Sequence, residues 1–252
     1  MIKGLDRFKE HFAPFAKNYV LIGGTACSLA MEEAGLLFRT TKDFDIVLYL
    51  EALDCKFVEA FWEFVKTGNY QHQQKSTGKK LFYRFHDPED SAYPEMLELF
   101  SRRPGVIKLT NDNHLTPIPV DEEISSLSAI LLDEECYQFI HQGKREIEGV
   151  PILSPEYLIP LKAMAWRNLS TDSGLLGDEK NIRKHKNDIM RLYQLLTAKT
   201  RVDLPVILKQ DMQYFLHEMK KNPADLKALG LKRTTSDEVL ATLSQVYNCK
   251  YG

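Results

Sequence analysis

The sequence lacks the paired cysteines of a metal ribbon or a disulfide scaffold. Its four cysteines, Cys27, Cys55, Cys136 and Cys249, are scattered and form no CxxC pair. Seven histidines are present, but none falls in an HxxxH or HExxH spacing. No apolar run approaches the roughly 18 residues needed to span a bilayer. Nor is there an excess of charge of one sign. Lys and Arg number 33 against 35 Asp and Glu, a net charge of -2, which argues against a strongly basic nucleic-acid binder. No GK[ST] follows a glycine-rich turn, so a P-loop is excluded. The N-terminal "MIKGLDRFKEHF" is charged and periodic, unlike a signal sequence. These absences together lead us to expect a soluble, cytoplasmic protein with reduced thiols and no membrane partner. With 252 residues and 44% hydrophobic content, a sizeable core needs no staples.

What is present falls into two parts. Residues 2–17 carry Ile2, Leu5, Phe8, Phe12 and Phe15 at helical intervals. "YVLIGG" is a short apolar strand closed by two glycines, and "TACSLAMEEAG" reads as a helix stopped at Gly35. "DFDIVLYL" is a second strand. "LDCKFVEAFWEFVKTG" is a second amphipathic helix. "KLFYRFHD" and "EMLELF" alternate as strands do, and "REIEGVPIL" reads as a hairpin bending at Gly149. "GVIKL" and "HLTPIPV" read as short edge strands, while "SSLSAILLDEECYQFI" fits strand or helix. Ser154 and Pro155 open a helix as N-cap and first-turn pair. Beyond residue 175 the pattern is helical, over about 178–198, 203–221 and 235–247. The expected organisation is an α/β (α+β) domain over 1–150 and a mainly helical domain over 151–252.

The chemistry concentrates at "GG" and "DFD". Gly23 and Gly24 end a strand and lead into a helix, where backbone N–H groups can approach a phosphate closely and Thr25 adds a hydroxyl. Residues 25 to 42 separate Gly24 from Asp43. On a strand, side chains alternate, so Asp43 and Asp45 share one face and Phe44 takes the other. Two carboxylates so placed repel one another unless a cation lies between them. Mg²⁺ is satisfied by one or two carboxylates together with phosphate oxygens. Asp43 as a turn cap and Asp45 at a strand edge is the bland alternative. Glu98, between Leu97 and Leu99 in an apolar strand, is the candidate third acid, since a lone buried acid is costly. Arg39 and Lys42 flank the aspartates, and Arg102 and Arg103 follow the Glu98 strand; a solvated cation is the alternative for each. The basic "KNIRKHK" at 180–186 reads as a solvated helix face or an RNA contact.

"LIGGTA", the "RTTKDFD" stretch and the later "LEL" strand resemble the polymerase-β-like nucleotidyltransferase superfamily, and most closely the AbiEii-type nucleotidyltransferase toxins of abortive-infection and toxin–antitoxin systems. Two later stretches follow the same order. "SPEYLIPLKAMAW" carries Lys162 where the family has a helical lysine, and "KHKNDIMRLYQLL" carries Asp188 ahead of a leucine run. The likeness covers roughly 18–200. The third acid here is Glu98 where Asp is commoner, and the chain beyond 200 matches no part of the pattern.

The resemblance implies a nucleotidyltransferase-type mixed sheet flanked by helices, followed by a helical C-terminal half. It implies Mg²⁺ and a nucleoside triphosphate held by Asp43 and Asp45, with Glu98 on a second metal or acting as base. Gly23, Gly24, Thr25 and Lys42 would hold phosphate. Lys162 would contact a nucleotide phosphate, and Asp188 would orient Lys162 or the acceptor. The implied acceptor is tRNA, another RNA or a protein, with a cognate antitoxin as partner. The alternatives are an aminoglycoside-like antibiotic nucleotidyltransferase, and a degenerate, non-catalytic nucleotide-binding protein.

Overall fold

The computed structural model describes residues 2–72, 84–102, 115–117, 128–171 and 179–250. They form two compact units, Met1–Glu33 with Arg39–Leu153, and Ala34–Phe38 with Ser154–Gly252.

The first unit is a mixed sheet with helices against it. Its elements are α1 (Leu5–Phe12), β1 (Tyr19–Ile22), α2 (Gly23–Glu33), β2 (Asp43–Leu48), α3 (Cys55–Thr67), β3 (Gln71–His72), β4 (Arg84–His86) and β5 (Met96–Arg102). After these come β6 (Leu115–Pro117), β7 (Ser128–Leu132), α4 (Glu134–Gln142), β8 (Lys144–Ile147) and β9 (Val150–Leu153). The strand order is β3-β4-β5-β2-β1-β9-β8, with β7 pairing β5 and β6. Strand β2 is central, antiparallel to β1 and parallel to β5.

One face of this sheet carries Phe44, Leu97 and Phe85, all fully buried. Helices α1 and α3 cover it. The Phe8 ring lies 5.1 Å from Phe44 and 5.8 Å from Phe64, and Phe61 lies 5.4 Å from Phe85. Each such ring contributes about 1.5–3 kcal/mol on burial. Helix α1 is shorter than the spacing over 2–17 predicts, because Pro14 cannot donate and the chain turns through a short 3-10 segment, Ala13–Phe15.

The ambiguous 125–140 stretch divides at Asp133. Its side chain accepts from the Cys136 N–H at 2.9 Å and starts α4, so the residues before it are free to be β7. The β8–β9 hairpin turns where expected, with Glu148 and Gly149 both in the left-handed region. Of the other expected edge strands, 115–117 is β6, and "GVIKL" lies outside the described residues.

The second unit is helical: α5 (Pro155–Thr171), α6 (Glu179–Leu192), α7 (Val206–Lys221) and α8 (Ser236–Tyr247). A capping box between Thr235 and Glu238 starts α8. Pro160 lies inside α5 and has no N–H for the carbonyl of Glu156, four residues back. The Tyr247 hydroxyl from α8 donates to that carbonyl at 2.8 Å instead. Two ion pairs bind α5 to its neighbours. Lys162 Nζ lies 2.9 Å from Asp188 Oδ2 on α6, and Arg167 donates to Asp211 Oδ1 on α7 at 2.6 Å. Among the described residues, no helix is long and apolar enough to cross a membrane.

Candidate metal-nucleotide site

The sheet face opposite the aromatic core holds the carboxylates. Asp45 is the register partner of Ile22 on β1 and of Glu98 on β5, and Glu98 is the partner of Arg84 on β4. One line across four strands therefore reads Ile22, Asp45, Glu98, Arg84, with all four side chains on one face. The antiparallel pairs in this line, Ile22 with Asp45 and Glu98 with Arg84, stand about 4.5–5.5 Å apart at Cβ. Asp43 lies two residues before Asp45 on the same face, and both are partly buried. Phe44 between them is in the core, so the alternation expected from the sequence is present.

The glycine pair meets this line of side chains. Gly23 has φ +65° and follows Ile22 directly. A methyl group on it would fall 1.7 Å from Asp45 Oδ2, so the carboxylate lies against bare backbone. A methyl on Gly24 would fall 2.6 Å from Thr41 Oγ1 and 3.1 Å from Arg39 Nη2. Thr25, at the head of α2, donates from Oγ1 to the carbonyl of Asp43 at 2.8 Å. The first turn of α2 is thereby tied to the start of β2. Backbone N–H groups at a helix N-terminus and two carboxylates are thus brought to one place by a turn that side chains would obstruct.

The other expected residues are placed less simply. Lys42 pairs with Glu95 at 2.9 Å, and Lys3 pairs with the same oxygen at 3.1 Å. Glu98 is buried, and Arg84 Nε donates to its Oε1 at 2.8 Å, with Arg84 Nη2 on the same oxygen. Glu98 therefore stands on this face as a member of an ion pair. Among the described residues no group of three or more His, Cys, Asp or Glu side chains is placed to hold a metal ion. Asp43 and Asp45 fit the oxygen-ligand chemistry of Mg²⁺ with phosphate. Glu98 faces them with its charge already compensated by a guanidinium. Lys162 and Asp188 are together in the second unit, both buried. Arg102 lies at the opposite end of β5 and bonds Glu51, its Nε at 3.0 Å. Arg103 lies outside the described residues. Arg84 was missed by sequence reasoning. The signal was available, since alternation in "RFH" places Arg84 and His86 on one face with Phe85 on the other.

A scan against protein-family models finds no match, and a search of the curated proteins finds none either. Solved structures do match. An antigenic nucleotidyltransferase-like protein from Paracoccidioides brasiliensis is 16% identical at TM-score 0.42, over 94% of this chain and 98% of that one. JHP933 from Helicobacter pylori is 15% identical at TM-score 0.42, over 95% and 85%. The antibiotic-resistance factor ANT(2'')-Ia is 11% identical at TM-score 0.39, over 90% and 97%. At these scores the functional reading is left to the site's own geometry.

Proposed function

We propose that this chain is a Mg²⁺-dependent nucleotidyltransferase. It moves a nucleoside monophosphate from an NTP to a hydroxyl of an RNA or protein acceptor. The observation that carries this reading is the Asp45 carboxylate seated against the bare Gly23 turn, with Asp43 on the same face. A turn of this kind suits triphosphate, and two co-facial carboxylates suit the cation that accompanies it.

Asp43 and Asp45 are the residues that would hold Mg²⁺, which when bound supplies charge neutralisation on the triphosphate. The N–H groups at Gly23, Gly24 and Thr25 orient the phosphates. The acceptor oxygen bonds to the α-phosphorus as the bond to the β-phosphate oxygen breaks, and pyrophosphate leaves. Glu98 takes the acceptor's proton. Positioning and charge stabilisation provide most of the rate in such transfers. In this reading Asp188 orients Lys162 within the helical unit. Lys42 would have to leave Glu95 to reach a phosphate.

The order of the Gly-Gly, DxD, lysine and aspartate motifs supports a toxin of the abortive-infection type, with a cognate antitoxin as partner. The test is incubation with each labelled NTP, Mg²⁺ and cell extract. Label in RNA or protein is the expected outcome. Label only on an added aminoglycoside would move the assignment to antibiotic modification. If no NTP binds with Mg²⁺ present, the protein is a non-catalytic relative and the proposal is wrong.

A further inference from the structure

The pairing of Arg84 with Glu98 has no place in the two-carboxylate site as described. Arg84 comes from β4, on the far side of β5 from the aspartates, yet its guanidinium lies on their face. Its side chain is 38% exposed and that of Glu98 only 11%, so an outward-reaching cation covers an inward acid. Nε and Nη2 both donate to the single oxygen Oε1. A guanidinium fork is better matched by an anion that offers it two oxygens.

We propose that Arg84 is a phosphate-binding residue of this site, and that Glu98 is released to the reaction when Arg84 turns to phosphate. The proposal rests on the nucleotidyltransferase reading and deepens it. Asp43, Asp45 and Glu98 occupy one face of adjoining strands, and three carboxylates there repel. Arg84 supplies compensating charge at Glu98 in the ligand-free site. A divalent cation held by Asp43 and Asp45 would itself neutralise the neighbouring carboxylates, which would weaken the hold of Glu98 on Arg84. Phosphate oxygens, with more charge and a better geometry, then compete for its fork. Glu98 is left beside Asp45 with its carboxylate able to accept a proton. The arrangement makes the third acid available only in a loaded site. The phosphate can belong to the NTP or to a phosphorylated acceptor, and the two are separable.

The experiment measures equilibrium binding to wild type, Arg84→Gln, Glu98→Gln and the double variant. The ligands are inorganic tripolyphosphate, with and without Mg²⁺, and an oligoribonucleotide with a 5′-phosphate or a 5′-hydroxyl. Arg84→Gln is expected to weaken phosphate binding about tenfold, the loss of one charge-assisted contact. Glu98→Gln is expected to tighten it severalfold, and that gain should vanish in the double variant because it acts through Arg84. Weakening with tripolyphosphate assigns Arg84 to the nucleotide. Weakening confined to the 5′-phosphate oligomer assigns it to the acceptor. Should Arg84→Gln bind every ligand as wild type does, or should the Glu98→Gln gain persist without Arg84, the proposal is overturned. Melting temperatures are read alongside. If Arg84→Gln does not fold, Arg84→Lys, which keeps the charge and loses the fork, takes its place with an intermediate affinity expected. Failure of wild type to bind Mg²⁺–NTP sinks the parent reading, whereas tripolyphosphate binding without Mg²⁺ still reports on Arg84.

Discussion

The two units treat their carboxylates differently. In the helical unit, Asp188 is fully buried against Lys162, and Asp211 is nearly so against Arg167. Each pair joins two helices. In the sheet unit, Asp43 and Asp45 stand partly buried on one strand face, at a turn where two glycines keep side chains away. Buried ion pairs hold an interior together only while both members are present. Co-facial carboxylates on a partly open strand face lie close enough to raise one another's energy, whatever else each of them meets. The difference is one of burial and setting: ion pairs that join helices in an interior, against carboxylates on a partly open strand face beside a bare turn.

The contrast is broken most severely at Asp188. Asp188→Ala leaves Lys162 buried without its acid and is expected to cost about 3–5 kcal/mol of stability, by denaturant titration. Replacing both members, Lys162→Met with Asp188→Leu, should recover most of that loss. If the single variant melts like wild type, the pair does not hold the fold.

Asp45→Asn should do the reverse. Asparagine keeps the side-chain volume at a partly buried position, so the loss of stability is expected to stay well below that of Asp188→Ala, at about 1 kcal/mol or less. Mg²⁺-dependent NTP turnover is expected to fall about a hundredfold or more. A large loss of stability with turnover intact would place Asp45 with the structural charges.

How much of this was legible beforehand depended on whether the signal was local. Period-two alternation was enough to place Asp43 and Asp45 on one face, and Leu97 and Leu99 opposite Glu98. The Ser154–Pro155 pair was enough to start α5 at Pro155. The partnership of Glu98 with Arg84 was not legible, because it depends on the β4–β5 register, set across the 87–95 connector. For the same reason Glu98 read as an open metal ligand. Lys42 read as a phosphate contact because Glu95 is its neighbour only through β5 pairing. Pro160 inside α5 was also opaque, since its remedy comes from Tyr247, far along the chain.

That remedy gives the next measurement. Tyr247 donates to the Glu156 carbonyl that Pro160 leaves without its helical donor. Tyr247→Phe keeps the ring and removes the hydroxyl, so a part-buried acceptor loses its partner at a cost of about 1 kcal/mol. Pro160→Ala restores the N–H, and in that background the same Tyr247→Phe change should cost clearly less. Equal costs in both backgrounds would show that the hydroxyl does not act through this carbonyl.

The smallest effect belongs to a third group of charges, at the far end of β2 from the aspartates. His141 packs against Tyr49 with ring centroids 3.7 Å apart and the planes tilted by 33°. Among the described residues its buried Nε2 has no hydrogen-bond partner, and it lies 4.0 Å from Glu51 Oε2. Burial holds the imidazole pKa below its ordinary value, and Lys144 and Arg102 push it the same way, while Glu51 and Glu134 oppose them. Tyr49 and Tyr137 face the ring as well. The folded state therefore binds fewer protons here than the unfolded chain does below about pH 6.5. The stability this group contributes is complete above that value and is lost as pH falls through the lowered folded-state pKa. His141→Gln removes the group from the titration, so unfolding free energy measured from pH 8 to pH 5 should fall less steeply than in wild type. An unchanged slope would mean that the imidazole is protonated alike in both states. Its distance from Glu51 would then close on acidification rather than strain the fold.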